Sequence, residues 1–314
     1  MNEGAEAEVI GDARRHRAAI FCLVENGHVL QEDDMNTHFG LGNFELAWLN
    51  GGRFELDGGA MFGVVPKVLW QKKYPGDESN YIPLNAWPIL VTANGKLILI
   101  ETGLGNKLTD KQKHIFRVKE EWRVPQDLTS MGLGREDIDF VILTHFDFDH
   151  AGGLSMLDES GRLTLTFPNA KYIVQRREWE DVLAPNKRSI NTFWPINYLV
   201  VKESRNLELV DGDAEVTEGV TVALTGGHNR GHQIVRLESE GQRALHLADL
   251  LPTHAHFNPL WVMAYDNYPL DAISQKEKWE TEGIQGNAWF TFYHDPFMRA
   301  CRFDEKGEVT EKLV

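Results

Sequence analysis

Thr144-His145-Phe146-Asp147-Phe148-Asp149-His150 decides how the rest of the chain reads. Four side chains able to hold a cation, His145, Asp147, Asp149 and His150, occupy six positions. Phe140-Val141-Ile142-Leu143 stands directly before them, an apolar run expected of a short strand buried on both faces. Gly152-Gly153 follows and permits close backbone approach and a helix start. Carboxylates this close repel one another unless a cation lies among them. In an extended or turning backbone His145, Asp147 and Asp149 share one side while His150 turns back. A pocket for one or two divalent ions accounts for that spacing. An exposed acidic loop with two surface histidines is the alternative. It fits less well with a loop that leaves a buried strand, where active-site groups are presented.

Further pieces of the same kind lie downstream. Eight of the twelve histidines fall from His145 onward. Thr225-Gly226-Gly227-His228-Asn229-Arg230-Gly231-His232 follows the strand signal at 220–224, and its glycines allow a loop to deliver an imidazole. Asp249 ends the run Leu245-His246-Leu247-Ala248, and Tyr293-His294-Asp295 follows an apolar run at 288–292.

Strand signals recur at 44–49, 87–91, 96–100, 172–174, 220–224, 234–237 and 243–247. Asn94-Gly95 predicts a tight hairpin turn. Helical character covers 110–124, with Pro125 expected to stop it, and also 176–183 and 270–283. Strands in clusters with occasional helices give an α/β or α+β class. Residues 1–43 read as an N-terminal extension, with a basic cluster Arg14-Arg15-His16-Arg17 and an acidic run Glu32-Asp33-Asp34; residues 44–314 read as the main domain.

Composition excludes several functions. The chain has 314 residues, 42% of them hydrophobic, which suffices for a sizeable core. With 32 Lys plus Arg against 47 Asp plus Glu, the formal net charge is −15. Such a chain repels phosphate backbones and anionic membrane surfaces, so neither nucleic acid nor a membrane is an expected partner. Cys22 and Cys301 are too few for a disulfide framework or a four-thiolate zinc site and read as ordinary thiols. The apolar stretch 18–24 is far shorter than the ~20 residues of a membrane span. Met1-Asn2-Glu3-Gly4 carries an acid and no base, and the expected location is the cytoplasm.

Taken together, the order and spacing of these motifs resemble the metallo-β-lactamase superfamily, whose signature is His-x-His-x-Asp-His, a Gly-His loop, a bridging Asp after a strand and a late His. Ile100-Glu101-Thr102-Gly103 resembles its Asp-Thr-Gly turn. Within the superfamily the similarity is greatest to the quorum-quenching lactonases, through the stretch 57–66 and through His246-Leu247-Ala248-Asp249 with the segment 252–261. The resemblance covers about residues 44–303. It implies an α/β fold, an αβ/βα sandwich of two face-to-face β-sheets with outer helices and metals at one edge. It also implies His145, Asp147 and His228 as one metal site, Asp149, His150 and His294 as the other, and Asp249 between them. The implied activity is opening of N-acyl-homoserine lactones or related lactones, a small-molecule substrate, by a metal-bridged hydroxide, with Asp149 or Asp249 moving the proton. The implied cofactors are two divalent ions, Zn2+ first. Homodimers are common among such relatives.

Two positions depart from the pattern. Asp147 stands where the common motif has His, which opens the site to Fe, Mn or Co and keeps hydrolysis of phosphotriesters or aryl halides as alternatives. A metal-depleted binding protein is the reading of another class. Pro252 stands where some lactonases carry a tyrosine. No Gly-x-Ser-x-Gly nucleophile motif occurs. His232 is expected to support the metal loop, His246 to sit in the core, and His254 and His256 to line the mouth or the surface. Met61, Phe62, Phe257 and Trp261, with Trp70 and Met263 nearby, form either an apolar acyl-chain channel or plain packing.

Overall fold

The computed structural model describes residues 38–314. The basic cluster 14–17, the apolar stretch 18–24, Cys22 and the acidic run 32–34 lie outside them. Two seven-stranded sheets stack face to face. The first runs in the order His38–Leu41, Phe44–Trp48, Ile89–Ala93, Lys96–Ile100, Phe140–Ile142, Lys171–Gln175 and Leu207–Val210. The second runs Ala214–Thr217, Val220–Leu224, Gln233–Ser239, Gln242–His246, Trp289–Thr291, Ala300–Phe303 and Val309–Leu313. This is the expected αβ/βα sandwich.

Alternation along the strands builds the layers. In Lys96–Ile100, Ile98 and Ile100 face the inner core, where Val91, Ile142 and Ile173 of the first sheet meet Val222, Val235, Leu237 and Trp289 of the second. Leu97 and Leu99 face outward against Leu128, Trp179, Val182 and Val201, on the helices Val124–Ser130, Arg176–Leu183 and Pro195–Glu203. On the far side Leu245 and Phe290 pack against Ala272 and Trp279 of the helix Pro269–Gln285. Asn94 and Gly95 take φ of 51° and 71°, the left-handed pair that closes a two-residue hairpin.

Two expectations change. The stretch 110–124 is not one helix: Asp110–Ile115 starts at a Thr109–Gln112 capping box and ends before Arg117, whose φ is 45°. Pro125 then sits in the first turn of Val124–Ser130 and begins that helix, because a first-turn residue has no intrahelical bond for its nitrogen to donate. The sheet also begins before Phe44, since His38–Leu41 pairs antiparallel with Phe44–Trp48 inside the segment read as an extension. Among the described residues no helix is long and apolar enough to cross a membrane.

Register places the site. Ile100 pairs with Ile142, so Glu101 and Leu143 leave the first sheet side by side, with Thr144 next in line. Leu224 pairs with Gln233, which makes 225–232 a loop at the end of the second sheet. His246 pairs with Thr291, so the segments leading to Asp249 and His294 emerge together.

Candidate metal centre

Four loops from the two sheets converge. His145, Asp147 and His228 bring ligand-type atoms within 4.8 Å of one another, and so do Asp149, His150 and His294. Asp249 lies between the two groups. Its Oδ2 faces His228 Nε2 at 3.5 Å and His145 Nε2 at 3.8 Å, and its Oδ1 faces His294 Nε2 at 3.2 Å and His150 Nε2 at 3.3 Å. Asp147 Oδ2 stands 3.2 Å from His228 Nε2 and 3.7 Å from His145 Nε2, and Asp149 Oδ2 stands 3.7 Å from His294 Nε2. The structure thus brings all seven sequence-predicted metal residues together.

The local chemistry fits a cation. His145 Nε2, Asp147 Oδ1 and Asp249 Oδ1 are buried without a hydrogen-bond partner. His150 Nε2 and His294 Nε2 stand 3.2 Å apart. Buried polar atoms carry a desolvation cost unless something pairs with them, and a divalent ion pairs with nitrogen and oxygen donors alike. Burial pushes His150 down, but Asp249, Glu101 and Asp149 outweigh it and hold this imidazole well above its ordinary pKa. Burial raises Asp249, yet His150, His294 and His228 pull it well below the usual carboxylate range. Asp149 is shifted upward, chiefly by burial.

Three of the four imidazoles are oriented by a hydrogen bond to their other nitrogen, and that of His150 faces a carboxylate without bonding it. Nδ1 of His145 meets Thr144 Oγ1 at 2.9 Å, and that of His228 meets Asp266 Oδ1 at 2.9 Å. Nδ1 of His150 stands 3.4 Å from Glu101 Oε1, and that of His294 meets Asn85 O at 2.8 Å. Glu101 itself has φ of 65° and accepts from the Thr144 backbone N–H at 3.2 Å. Tyr293 stacks on His150 with centroids 4.2 Å apart and donates to Asp149 O at 2.6 Å.

Sequence reasoning missed Asp266, Glu178 and Lys107. Glu178, fully buried on Arg176–Leu183, accepts from Phe146 N at 3.0 Å and from Asn229 Nδ2 at 3.3 Å, joining the two loops that carry His145 and His228. Burial pushes its carboxyl up to about 8. The Lys107 amine donates to Gly152 O and Ser155 O behind the motif. The motifs around these residues gave no sign of such contacts.

The other sequence candidates divide. His232 is buried beside the centre, its Nδ1 2.7 Å from Thr225 Oγ1 and its ring centroid 5.4 Å from that of His145. His246 is buried on its strand, with Nδ1 3.0 Å from Thr291 Oγ1. His256 lines neither mouth nor surface: it is buried between Thr253 Oγ1 at 2.7 Å and Met61 O at 2.9 Å. Met61 and Phe62 have almost no exposed surface, and the Phe62 ring stacks on Trp70 and His256. Trp261 packs edge-on to Phe62, whereas Phe257 belongs to another cluster, 3.9 Å from Phe303. At the motif the buried Phe148 stacks on the partly exposed Phe116 at 4.3 Å and Trp194 at 4.7 Å.

The sequence profile of the metallo-beta-lactamase superfamily matches residues 81–284, and the chain belongs to that superfamily. Its relatives are metal-dependent hydrolases, lactonases among them. The N-acyl homoserine lactonase AiiA of Bacillus thuringiensis subsp. kurstaki is 28% identical over 168 residues, which cover 50% of this chain and 60% of that protein. The chain thus spans about 60% of the length of the curated lactonases it matches first. A probable metal-dependent hydrolase from Staphylococcus aureus is 41% identical, with a TM-score of 0.82 over 88% of this chain and 98% of that one. AidC, a dizinc quorum-quenching lactonase solved with a product, shares the fold at 20% identity, with a TM-score of 0.71 over 88% of this chain and 95% of its own.

Proposed function

We propose that the chain is a metal-dependent hydrolase that opens the ring of N-acyl-homoserine lactones or closely related lactones, a quorum-quenching activity. The observation that carries this reading is the convergence of four loops on Asp249, each of whose oxygens faces a pair of imidazoles. The lactonases among its relatives support the choice of substrate. Two divalent ions, Zn2+ first and Fe, Mn or Co as alternatives, would supply a Lewis acid and a water activated near neutral pH.

His145, Asp147 and His228 would hold one ion in this reading, and Asp149, His150 and His294 would hold the other. Asp249 would serve both, and Asp149 or Asp249 would take up a proton from the activated water and return it to the leaving oxygen. Asp147, with 16% of its side chain exposed, is the most open of the seven donors and marks the side of substrate entry. The partly exposed Phe116 and Trp194, stacked on the buried Phe148, offer an apolar surface to the acyl chain. His232 steadies the Gly-His loop. The proposed hydrolase domain covers residues 44–314 together with the strand His38–Leu41 that pairs with Phe44–Trp48, and the proposed assembly is a homodimer.

Metal analysis of protein prepared without chelator, joined to a pH-indicator assay on short- and long-chain acyl-homoserine lactones, tests the reading. Two metals per chain and acid release that disappears in His150→Ala are the expected result. Metal without lactone turnover moves the substrate elsewhere. Phosphotriesters and chlorinated aromatics belong in the same assay, because Asp147 replaces the usual imidazole and Pro252 offers no phenol. A folded chain that takes up no metal is a binding protein and overturns the enzyme.

A further inference from the structure

We propose that the centre consists of two chemically equivalent halves, so that a divalent ion enters either half without preference. This rests on the metal-dependent reading above and concerns how the donors are shared.

Each half contains two imidazole Nε2 atoms, one aspartate of its own and one oxygen of Asp249. In the first half His145 and His228 combine with Asp147 Oδ2 and Asp249 Oδ2. In the second, His150 and His294 combine with Asp149 Oδ2 and Asp249 Oδ1. The match extends outward. Each half has one imidazole backed by a carboxylate, His228 by Asp266 and His150 by Glu101. Each has one backed by a neutral oxygen, His145 by Thr144 Oγ1 and His294 by Asn85 O. A carboxylate behind an imidazole raises its basicity as a ligand; Asp266 does so through a 2.9 Å hydrogen bond, and Glu101 through a 3.4 Å contact that is not a hydrogen bond. Formal charge is also equal, one aspartate plus half of Asp249.

Asp147 produces this balance. An imidazole at that position would give the first half three neutral nitrogens and no carboxylate of its own, a softer set than the second. With Asp147, neither half selects a metal that the other rejects, and the centre fills as a pair of like ions. Access also differs, because 16% of the Asp147 side chain is exposed against 9% of Asp149. Access alters the rate of entry and leaves the equilibrium between the halves untouched.

Repulsion between two dications weakens the second binding step whichever half fills first. The readout is therefore the distribution of a limiting ion, not the stepwise affinity. Metal-free full-length protein receives less than one equivalent of Co2+, and the paramagnetically shifted imidazole N–H signals are followed by NMR. The Nδ1–H groups of the four liganding histidines are buried, three of them against hydrogen-bond acceptors, and remain visible. All four signals are expected to rise together, with the two pairs matched to within about tenfold in occupancy. Asp147→His is expected to break the match, one set of signals appearing before the other. Two signals saturating before the second two appear in the wild type, a preference above about tenfold, would overturn equivalence and leave the hydrolase standing. Absence of Co2+ binding would remove both. Should Asp147→His fail to fold, the wild-type spectrum decides alone.

Discussion

Asp266 Oδ1 lies 2.9 Å from His228 Nδ1 across 38 residues of chain, and both side chains are almost wholly buried. The same carboxylate accepts from Met263 N through its other oxygen, at 2.9 Å. Asn267 N donates to His228 O at 2.8 Å, so a surface loop is fastened to the histidine that the first half of the centre needs. Asp266→Ala removes the acceptor that fixes the ring and its tautomer. Metal affinity is expected to fall about 10- to 100-fold, measured by competition with a chromogenic chelator. Asp266→Asn keeps an oxygen acceptor and should lose less.

Glu178 predicts a pH dependence of stability. Its carboxyl is held up to about 8 by burial, against an ordinary value of 4.5. Between these values the unfolded chain releases the proton while the folded one retains it, so the unfolded state binds fewer protons and stability falls as pH rises. The fall starts near the ordinary value and levels off above about 8. Glu178→Gln has no proton to lose, and its amide oxygen still accepts from Phe146 N and Asn229 Nδ2. Urea titrations from pH 5 to 9 on both proteins should show a slope in the wild type that is shallower in the variant. Parallel slopes would assign the pH dependence to other groups.

The contrast between His145 and Asp266 shows what the sequence can disclose. The motif from His145 to His150 is contiguous, and the strand before it is recognisable by composition, so the first ligands were legible from local order. His228, Asp249 and His294 were legible because each follows an apolar strand and the superfamily resemblance supplies their order. Asp266 and Glu178 reach the centre only through tertiary contacts, and Ala264-Tyr265-Asp266-Asn267 contains no spacing that marks a partner for histidine. The strand clusters disclose a class that mixes helix and strand, and the sandwich follows from the superfamily resemblance. The pair Arg53–Asp57 and Tyr81–Asn85 escaped notice, its second strand interrupted by Pro83. Pro125 was read as a stop because proline breaks helix interiors, although the same residue favours a first turn.

Gly152 tests the close packing behind the motif by sterics alone. Its φ of −60° suits any residue, yet a Cβ there would lie 2.3 Å from Leu104 O. Gly152→Ala must therefore move the 103–105 backbone or the motif itself, whose His150 is two residues away. A stability loss of about 1–3 kcal/mol is expected from the urea midpoint, with reduced metal content in the same preparation. The amine of Lys107 spans Gly152 O and Ser155 O on this side and resists the displacement.

Phe62 separates a substrate wall from a core residue. Its ring is fully buried, stacked on Trp70 at 4.9 Å with 8° between planes and on His256 at 4.4 Å with 4°. Loss of such a ring leaves a cavity, and Phe62→Ala is expected to cost about 3–5 kcal/mol in urea unfolding. Phe62→Leu retains most of the apolar volume and should cost less. In the folded Leu variant, relative activity across acyl-chain lengths should match the wild type, because no face of the ring is open to substrate. Phe148→Leu disturbs the Phe116–Phe148–Trp194 stack beside Asp147 and Asp149 and should change that profile. A chain-length shift in the Phe62 variant with none in the Phe148 variant would return the acyl pocket to the Met61–Phe62 side.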